Sequence, residues 1–542
     1  MSTMSRVFAI AVVLFVAGTA AAQITPSAPP SCEKVSQLAL SKAKIVSAQT
    51  VEAGTFAPPA AMSPWLTGSP DLYKALGAFC RVLVEAMPSA DSSIKIEVWL
   101  PEEAWNGRFR GQGNGGFAGE IDYRRLALAL QQNYATAATD TGHSAVATDA
   151  RWALGHREKV IDFGYRAIHE MTQIAKTVIN AFYGNNPQHS YFDNCSNGGR
   201  QALMEAQRFP ADYDGIIAGA PANYWTRLLT KALADSQATT LDPASYIPAS
   251  KVPALARAVN AACDAQDGVT DGVVNDPRQC RFDPAVLLCK TDDSNECLRA
   301  PQVTALKKLY EGPRDAKGVL IFPGYLPGAE EGEGGWGLWI TGQAPGQSLM
   351  FAFNTGYFSN MVYGKSDWDY KNTRVNDGLK AAEKKTAKIL NATDSNLAVF
   401  KARGGKLILY HGWNDAAISA LNTINYYNSV TAKMGQAETD AFSRLYMVPG
   451  LQHCGGGPGA NSFGQLGMAA PDPQNNMELA LVDWVEKGVA PSAIVATKFV
   501  DDDPSKGVKL TRPLCPYPQI AKFKGDGDPN DAGNFICVSA SP

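Results

Sequence analysis

Histidine is scarce in this chain, with six residues among 542: His143, His156, His169, His189, His411 and His453. An imidazole base acting near neutral pH must be one of these, so the search for one is short. Charge imbalance is missing too. Lys and Arg number 49 against 52 Asp and Glu, a formal net charge of −3. That leaves no basic surface for nucleic acid or an anionic membrane and points to a small or neutral partner. The one marked apolar run, Val7 to Val16, is about half of the roughly 20 residues a spanning helix needs. There is no internal repeat, no low-complexity tract beyond the glycine cluster at Gly328 to Gly346, and no Gly-x-Gly-x-x-Gly opening a helix, so a dinucleotide fingerprint is excluded.

What is present begins with that apolar run. Arg6 precedes it and Ala20-Ala21-Ala22 follows it, the pattern of a signal peptide over residues 1–22, cleaved after Ala22. The protein is therefore expected to be secreted or periplasmic, with no membrane attachment after cleavage. Ten cysteines form an even set, the arithmetic of five disulfides in an oxidising compartment. Cys263 with Cys280, Cys289 with Cys297 and Cys515 with Cys537 would close short loops, which leaves Cys32, Cys80, Cys195 and Cys454; spacing alone keeps other connectivities open.

From Ile94 to Tyr213 short β-rich runs alternate with helical ones, the mark of an α/β domain with a mostly parallel sheet. From about Asn223 to Asp394 the pattern dissolves into Asp-, Pro- and Gly-rich loops with short helical stretches and many aromatics. The α/β pattern resumes in KLILYHGWND and RLYMVPGLQHC. The chain thus divides into a first part of the α/β domain at 23–222, an insertion at 223–394 set over its loops, and a second part at 395–542.

Ser196 lies in Asn194-Cys195-Ser196-Asn197-Gly198-Gly199, between the strand SYFDN and the helix GGRQALMEAQRF. That is the context of a nucleophile elbow, although Asn194 stands where the pattern G-x-S-x-G has glycine. A serine capping the helix is the plainer alternative. The cysteines favour the elbow. Cys195 precedes Ser196 and Cys454 follows His453, so a disulfide between them, with Cα atoms about 5.5 Å apart, would bring serine and histidine within hydrogen-bonding reach. Asp415, on the loop after KLILY, completes the chain order Ser-Asp-His of an α/β hydrolase. Asp140 and His143 precede the serine and read as a structural loop, and His411 lacks the cysteine tether. The N–H of Asn197 and that of Gly115 or Gly116, in Gly111-Gln112-Gly113-Asn114-Gly115-Gly116, are the expected oxyanion donors.

A second constellation runs from Cys263 to Cys280. Closely spaced aspartates interrupted by glycine can wrap a hard cation, and calcium is the natural one outside the cell, in a structural role. No cofactor is expected in the chemistry. The insertion also supplies Trp336, Trp339, Phe351, Phe353, Tyr357, Phe358, Trp368 and Tyr370. Some of these should line an apolar pocket, others plain core. Trp336, Trp339 and Ile418 are the expected substrate contacts.

Together, Cys195-Ser196-Asn197-Gly198-Gly199-Arg200, His411-Gly412-Trp413-Asn414-Asp415 and His453-Cys454 resemble the tannase and feruloyl esterase family over nearly the whole mature chain. The resemblance implies an α/β-hydrolase core with a large inserted lid domain. It implies a Ser196-His453-Asp415 triad beside a bridge from Cys195 to Cys454, and the further pairings Cys32 with Cys80, Cys263 with Cys280, Cys289 with Cys297 and Cys515 with Cys537. It also implies a lid calcium on the carboxylates of Asp264, Asp267 and Asp271 and the carbonyls of Val269 and Val273. The substrates implied are small aromatic esters: gallates, ferulates and other hydroxycinnamates, or mono(hydroxyethyl) terephthalate. The last carries a free carboxylate suited to a lid arginine, and between Asp315 and Thr373 the chain has only Lys317 and Lys365. That disfavours it. A peptidase or a non-catalytic polyphenol- or carbohydrate-binding protein on the same scaffold are the rival classes.

Overall fold

The computed structural model describes Met1 and residues 31–468 and 472–539. The expected signal peptide lies, past Met1, outside the described residues. Nine strands form one sheet: β1 (Ala43–Val51), β2 (Phe79–Ala86), β3 (Ile94–Pro101), β4 (Arg108–Gly111), β5 (Ala135–Thr139), β6 (His189–Cys195), β7 (Gly215–Gly219), β8 (Lys406–Gly412) and β9 (Ser443–Val448). Their spatial order is β1-β2-β3-β5-β4-β6-β7-β8-β9. The five pairings from β5 to β9 are parallel. β1, β2, β3 and β5 pair antiparallel. The sheet is thus less uniformly parallel than the alternation after Ile94 suggests, because its first two strands lie upstream of that stretch and β3, which opens it, runs antiparallel to β5.

Both faces of the parallel half are covered, which is why β7 and most of β8 read as apolar runs; β6, HSYFDNC, also buries Ser190, Asp193 and Asn194. Side chains alternate between the faces. Phe192, Ile216 and Leu407 pack under the helices Ala167–Tyr183, Asn197–Arg208 and Ala420–Met434. Tyr191, Ile217 and Ile408 face Leu481 and Trp484 of the helix Met477–Lys487. A sheet of this order changes winding direction where β4 lies between β5 and β6, and a crevice opens there, outside the carboxyl ends of the strands. Gly111 ends β4 and Cys195 ends β6, so both loops of interest leave the sheet at that crevice.

No strand of the main sheet lies between Gly219 and Lys406. The insertion is more helical than its loop-rich composition suggests: Trp225–Thr240 and Val375–Leu390 are each 16 residues long. It is packed onto the sheet domain by shared cores. One joins Trp225, Phe322, Tyr357 and Phe358 to Phe117, Phe163 and Ile418. The other joins Leu255, Leu306, Tyr325 and Trp336 to Ala416.

The five disulfides pair Cys32 with Cys80, Cys195 with Cys454, Cys263 with Cys280, Cys289 with Cys297 and Cys515 with Cys537, as the resemblance implies. Cys537 is half-buried on the strand Phe535–Ser539, which pairs antiparallel with Gln519–Phe523 in a two-stranded sheet of its own. Its partner Cys515 lies next to Pro516, which bridges to Tyr446 of β9, and Tyr517 N–H donates to the Leu445 carbonyl at 2.7 Å. The bridge from Cys537 therefore moors the C-terminal hairpin to the edge of the main sheet. Among the described residues no helix is long and apolar enough to cross a membrane.

Candidate active site

Ser196 sits at φ 65° and ψ −126°, a left-handed φ that a non-glycine residue holds only when its surroundings impose it. The surroundings are specific. Ser196 N–H donates to the Gly219 carbonyl at 3.0 Å, and the Ser196 carbonyl accepts from the N–H groups of Arg200 and Ala222 at 3.1 Å each. Two glycines let the helix start this close to the sheet. A Cβ on Gly199 would meet the Gly219 carbonyl oxygen at 2.3 Å, and one on Gly198 would meet Asn194 Oδ1 at 2.1 Å. Arg200 ties the helix down from below: its guanidinium donates to the carbonyls of Gly164 (2.6 Å) and Phe163 (3.0 Å) and to Asn197 Oδ1 (2.9 Å).

Asn194 takes no left-handed φ. It is the last residue but one of β6, without a positive φ; its Oδ1 accepts from the next residue's N–H at 2.7 Å, and its Nδ2 has no partner among the described residues. What the position requires is therefore space between Gly113 and Gly198, since a Cβ on either would strike this amide.

The bridge between Cys195 and Cys454 sets their Cα atoms 5.9 Å apart. Ser196 Oγ lies 2.9 Å from His453 Nε2, and His453 Nδ1 lies 2.7 Å from Asp415 Oδ2. With the proton on Nδ1, as these partners require, His453 donates to Asp415 and accepts from Ser196. Asp415 Oδ1 accepts two backbone N–H groups, from Ala417 and Ile418, at 2.8 Å each. Burial works to raise this carboxyl. The adjoining His453 and His411 rings outweigh it by charge and hydrogen bonding and hold the group well below the usual carboxylate range. His411 is buried, with Nδ1 2.7 Å from Thr423 Oγ1 and Nε2 3.0 Å from the Ile418 carbonyl, and it does not reach Ser196. Of the ten cysteines only Cys195 and Cys454 line the space above the serine; Cys32, Cys80, Cys263, Cys280, Cys289, Cys297, Cys515 and Cys537 serve the scaffold.

The glycine loop after β4 faces the serine across the crevice. Asn114 fixes it: its N–H donates to Gln201 Oε1 at 2.9 Å and its Nδ2 to the Thr139 carbonyl at 2.7 Å. The N–H groups of Gly115, Gly116 and Asn197 donate to no acceptor among the described residues. Asp140 and His143 support this loop from behind. Asp140 accepts from the N–H groups of Lys95 and Gly142, and burial pushes its carboxyl up to about 7. His143 stacks on Trp152 at 3.7 Å and bonds the Phe117 carbonyl through Nε2; burial pulls it down to about 4.

A cavity of about 400 Å³ lies over Ser196 and His453, walled by Gly113, Gly115, Gly116, Trp339, Leu349 and Phe353 among others. Of the three expected substrate contacts, Trp339 lines it and sets its ring edge-on to His453 at 4.9 Å. Trp336 does not. It is fully buried against Tyr310 and Tyr325, because its helical turn directs it into the lid core. Ile418 is also off the wall, buried in the core that joins lid and sheet domain. Phe353, parallel to Trp339 at 6.3 Å, takes the wall position instead. Sequence reasoning missed Gln452, whose amide donates to the Glu331 carbonyl at 2.6 Å and accepts from Gly334 N–H at 3.1 Å, fastening the lid's glycine cluster to the residue before His453. The glycines were the available signal, since side chains at 332 or 334 would strike that amide.

In the lid, Asp264 accepts from the N–H groups of Asp271 and Gly272, Asp267 from Val269, and Asp271 from Val273. Burial and the neighbouring carboxylates Asp271 and Asp264 push Asp267 up to about 6. The carbonyls of Val269 and Val273 accept no bond among the described residues. Asp271 Oδ2 is also held by the Arg512 guanidinium at 2.7 Å; the carboxylates of Asp264 and Asp267 and the free carbonyls, in a loop closed by the bridge from Cys263 to Cys280, are hard oxygen donors of the kind a calcium ion takes.

The fold and this arrangement define an α/β hydrolase. Residues 80–538 match the family described as tannase and feruloyl esterase. An uncharacterized esterase of Xanthomonas campestris pv. campestris is 42% identical over 542 residues, covering 95% of this chain and 92% of its own. A mono(2-hydroxyethyl) terephthalate hydrolase of Piscinibacter sakaiensis is 35% identical, covering 82% and 81%. The crystal structure of feruloyl esterase B from Aspergillus oryzae superposes with TM-score 0.84 at 29% identity, over 94% of this chain and all of that one. The chain belongs to the tannase and feruloyl esterase family, a family of carboxylic ester hydrolases.

Proposed function

We propose that this protein is a secreted or periplasmic serine esterase that cleaves esters of phenolic aromatic acids, ferulate and other hydroxycinnamates or gallate, through Ser196, His453 and Asp415. The observation that carries the reading is the unbroken chain Ser196 Oγ, His453 Nε2, His453 Nδ1, Asp415 Oδ2 at 2.9 and 2.7 Å, opening into the aromatic-walled cavity. His453 Nε2 takes the hydroxyl proton as Oγ attacks the ester carbonyl. The oxyanion is received by the free N–H of Asn197 and that of Gly115 or Gly116. Collapse expels the alcohol, protonated by His453, and leaves the acyl group on Ser196. Water, deprotonated by the same ring, then releases the acid. Asp415, kept ionised, holds the ring's tautomer and stabilises its cation. The acyl ring lies against Trp339 and Phe353.

Calcium, held by Asp264, Asp267, Asp271 and the carbonyls of Val269 and Val273, would neutralise the lid carboxylates and brace that loop. The paired cysteines accord with an oxidising compartment. Replacing Ser196 by Ala should abolish turnover of methyl ferulate and methyl gallate while the fold, by circular dichroism, stays intact. Retained turnover would sink the assignment.

A further inference from the structure

The lining of the cavity over Ser196 has two unlike parts. Toward the lid it is apolar, with Trp339, Leu349 and Phe353, and no Lys or Arg of the insertion lines it. A second, polar part of the lining comes from the sheet domain: Ser63, Trp65 and Leu66 at the turn Pro64–Leu66, with Glu120, Asp122, Arg124 and Arg125. The charged groups of that part are nearly all engaged. Glu120 accepts from Ser63 N–H at 2.9 Å and from its hydroxyl. Asp122 caps the helix Tyr123–Gln131 and pairs with Arg125 at 3.5 Å, and Arg125 also donates to the Asp193 carbonyl at 2.9 Å. The exception is Arg124. Its guanidinium has no hydrogen bond and no ion pair with any described residue, and its stem lies against Gly68, where a Cβ would come within 3.0 Å of Arg124 Cγ. Beside it Trp65 lines the same wall yet is 66% exposed.

A half-buried arginine whose guanidinium meets no acceptor among the described residues, near an exposed indole and on the wall of the serine's cavity, suits a planar anion taken in from solvent. We propose that Arg124, with Trp65, forms a subsite for a carboxylate on the alcohol portion of the ester, so that the preferred substrates are aromatic-acid esters of hydroxycarboxylic acids. The inference rests on the esterase reading above and adds the leaving group's chemistry to it. Orientation follows from the two parts. A carboxylate at the lid side would be desolvated with no cation to meet it, whereas an aromatic acyl ring is at home there. With the acyl ring placed at the lid side, the other half of the ester is left the part of the lining that Arg124 supplies.

The test compares, on the mature protein, the ferulate ester of 3-hydroxypropanoate with its primary amide, which has the same shape and no charge. Methyl ferulate and mono(2-hydroxyethyl) terephthalate are run beside them. The anionic ester should exceed the amide in kcat/KM by roughly ten- to hundredfold at low ionic strength, the range for a charge-assisted hydrogen bond at a partly exposed site. The ratio should fall with added salt. R124Q should bring it near one, and R124K should keep part of it. A ratio of one in the wild type, or an unchanged ratio in R124Q, overturns the proposal. A preference for the terephthalate monoester that R124Q abolishes, without a preference for the hydroxypropanoate ester, overturns the orientation by placing the carboxylate on the acyl side. Failure to hydrolyse every ester, methyl ferulate included, would instead remove the esterase reading beneath it.

Discussion

Cys195 and Cys454 are separated by 259 positions in sequence, yet their Cα atoms are 5.9 Å apart, and the residues beside them, Ser196 and His453, meet at 2.9 Å. The bridge holds the serine's strand end and the histidine's loop in one frame. Replacing both cysteines by alanine should lower kcat at least tenfold. On the chain-entropy view a loop this long contributes about 5 kcal/mol, so the melting temperature should fall on the order of 10 °C. Melting curves and methyl ferulate kinetics read the two effects separately. Unchanged kinetics would mean that Gln452 and Asp415 suffice to place His453.

Asn194 and Gly198 should behave as a coupled pair. A methyl group on Gly198 would lie 2.1 Å from Asn194 Oδ1 and 2.2 Å from its Cγ. Gly198→Ala alone is expected to disrupt the elbow, with a loss of at least tenfold in kcat and about 1–3 kcal/mol or more of stability. The three nearest atoms all belong to the Asn194 side chain, so N194G combined with G198A should recover most of that loss. A double-mutant cycle measures the coupling, and additive effects would show that the crowding lies elsewhere.

Burial pulls His143 down to about 4 from its ordinary 6.5, and the ring bonds the Phe117 carbonyl behind the glycine loop. A depressed folded-state pKa contributes stability that is fully present above pH 6.5 and is lost as pH falls toward 4. The stability difference between wild type and H143Q, read by urea unfolding, should therefore shrink across that window. A difference independent of pH would show that His143 acts by packing alone.

Chelation should act on the lid and spare the chemistry. Dialysis against EDTA is expected to lower the melting temperature, and calcium should restore it. Asp267→Asn should blunt the response, and turnover well below the melting temperature should change little. An unchanged melting curve in EDTA would remove calcium from the lid.

The sequence by itself determined much of this protein. The alternation of strand and helix after Ile94 marks the α/β sheet, because strands buried on both faces must be apolar and helices beside them amphipathic. The loss of that pattern after Asn223 marks the insertion. The meeting of Ser196 with His453 was legible because covalent chemistry leaves a trace in one dimension: a cysteine next to each of two distant residues is a distance constraint written in the chain. Elsewhere only the tertiary structure could decide. The strands β1 and β2 pair antiparallel upstream of the alternating stretch, and their half-exposed faces carry a weaker pattern. The short spacing of Cys515 and Cys537 suggests a local loop, but that the bridge moors a separate hairpin beside β9 is visible only in three dimensions. Trp336 and Trp339 are three residues apart in the same aromatic segment, yet one fills the lid core and the other the cavity wall, because side-chain direction on a helical turn depends on what packs against it. Asn194 departs from the glycine of the elbow pattern, and what the structure asks of that position is space between two glycines. Arg124 gave no signal at all, since an arginine without a partner is defined by what surrounds it in three dimensions and by nothing beside it in sequence.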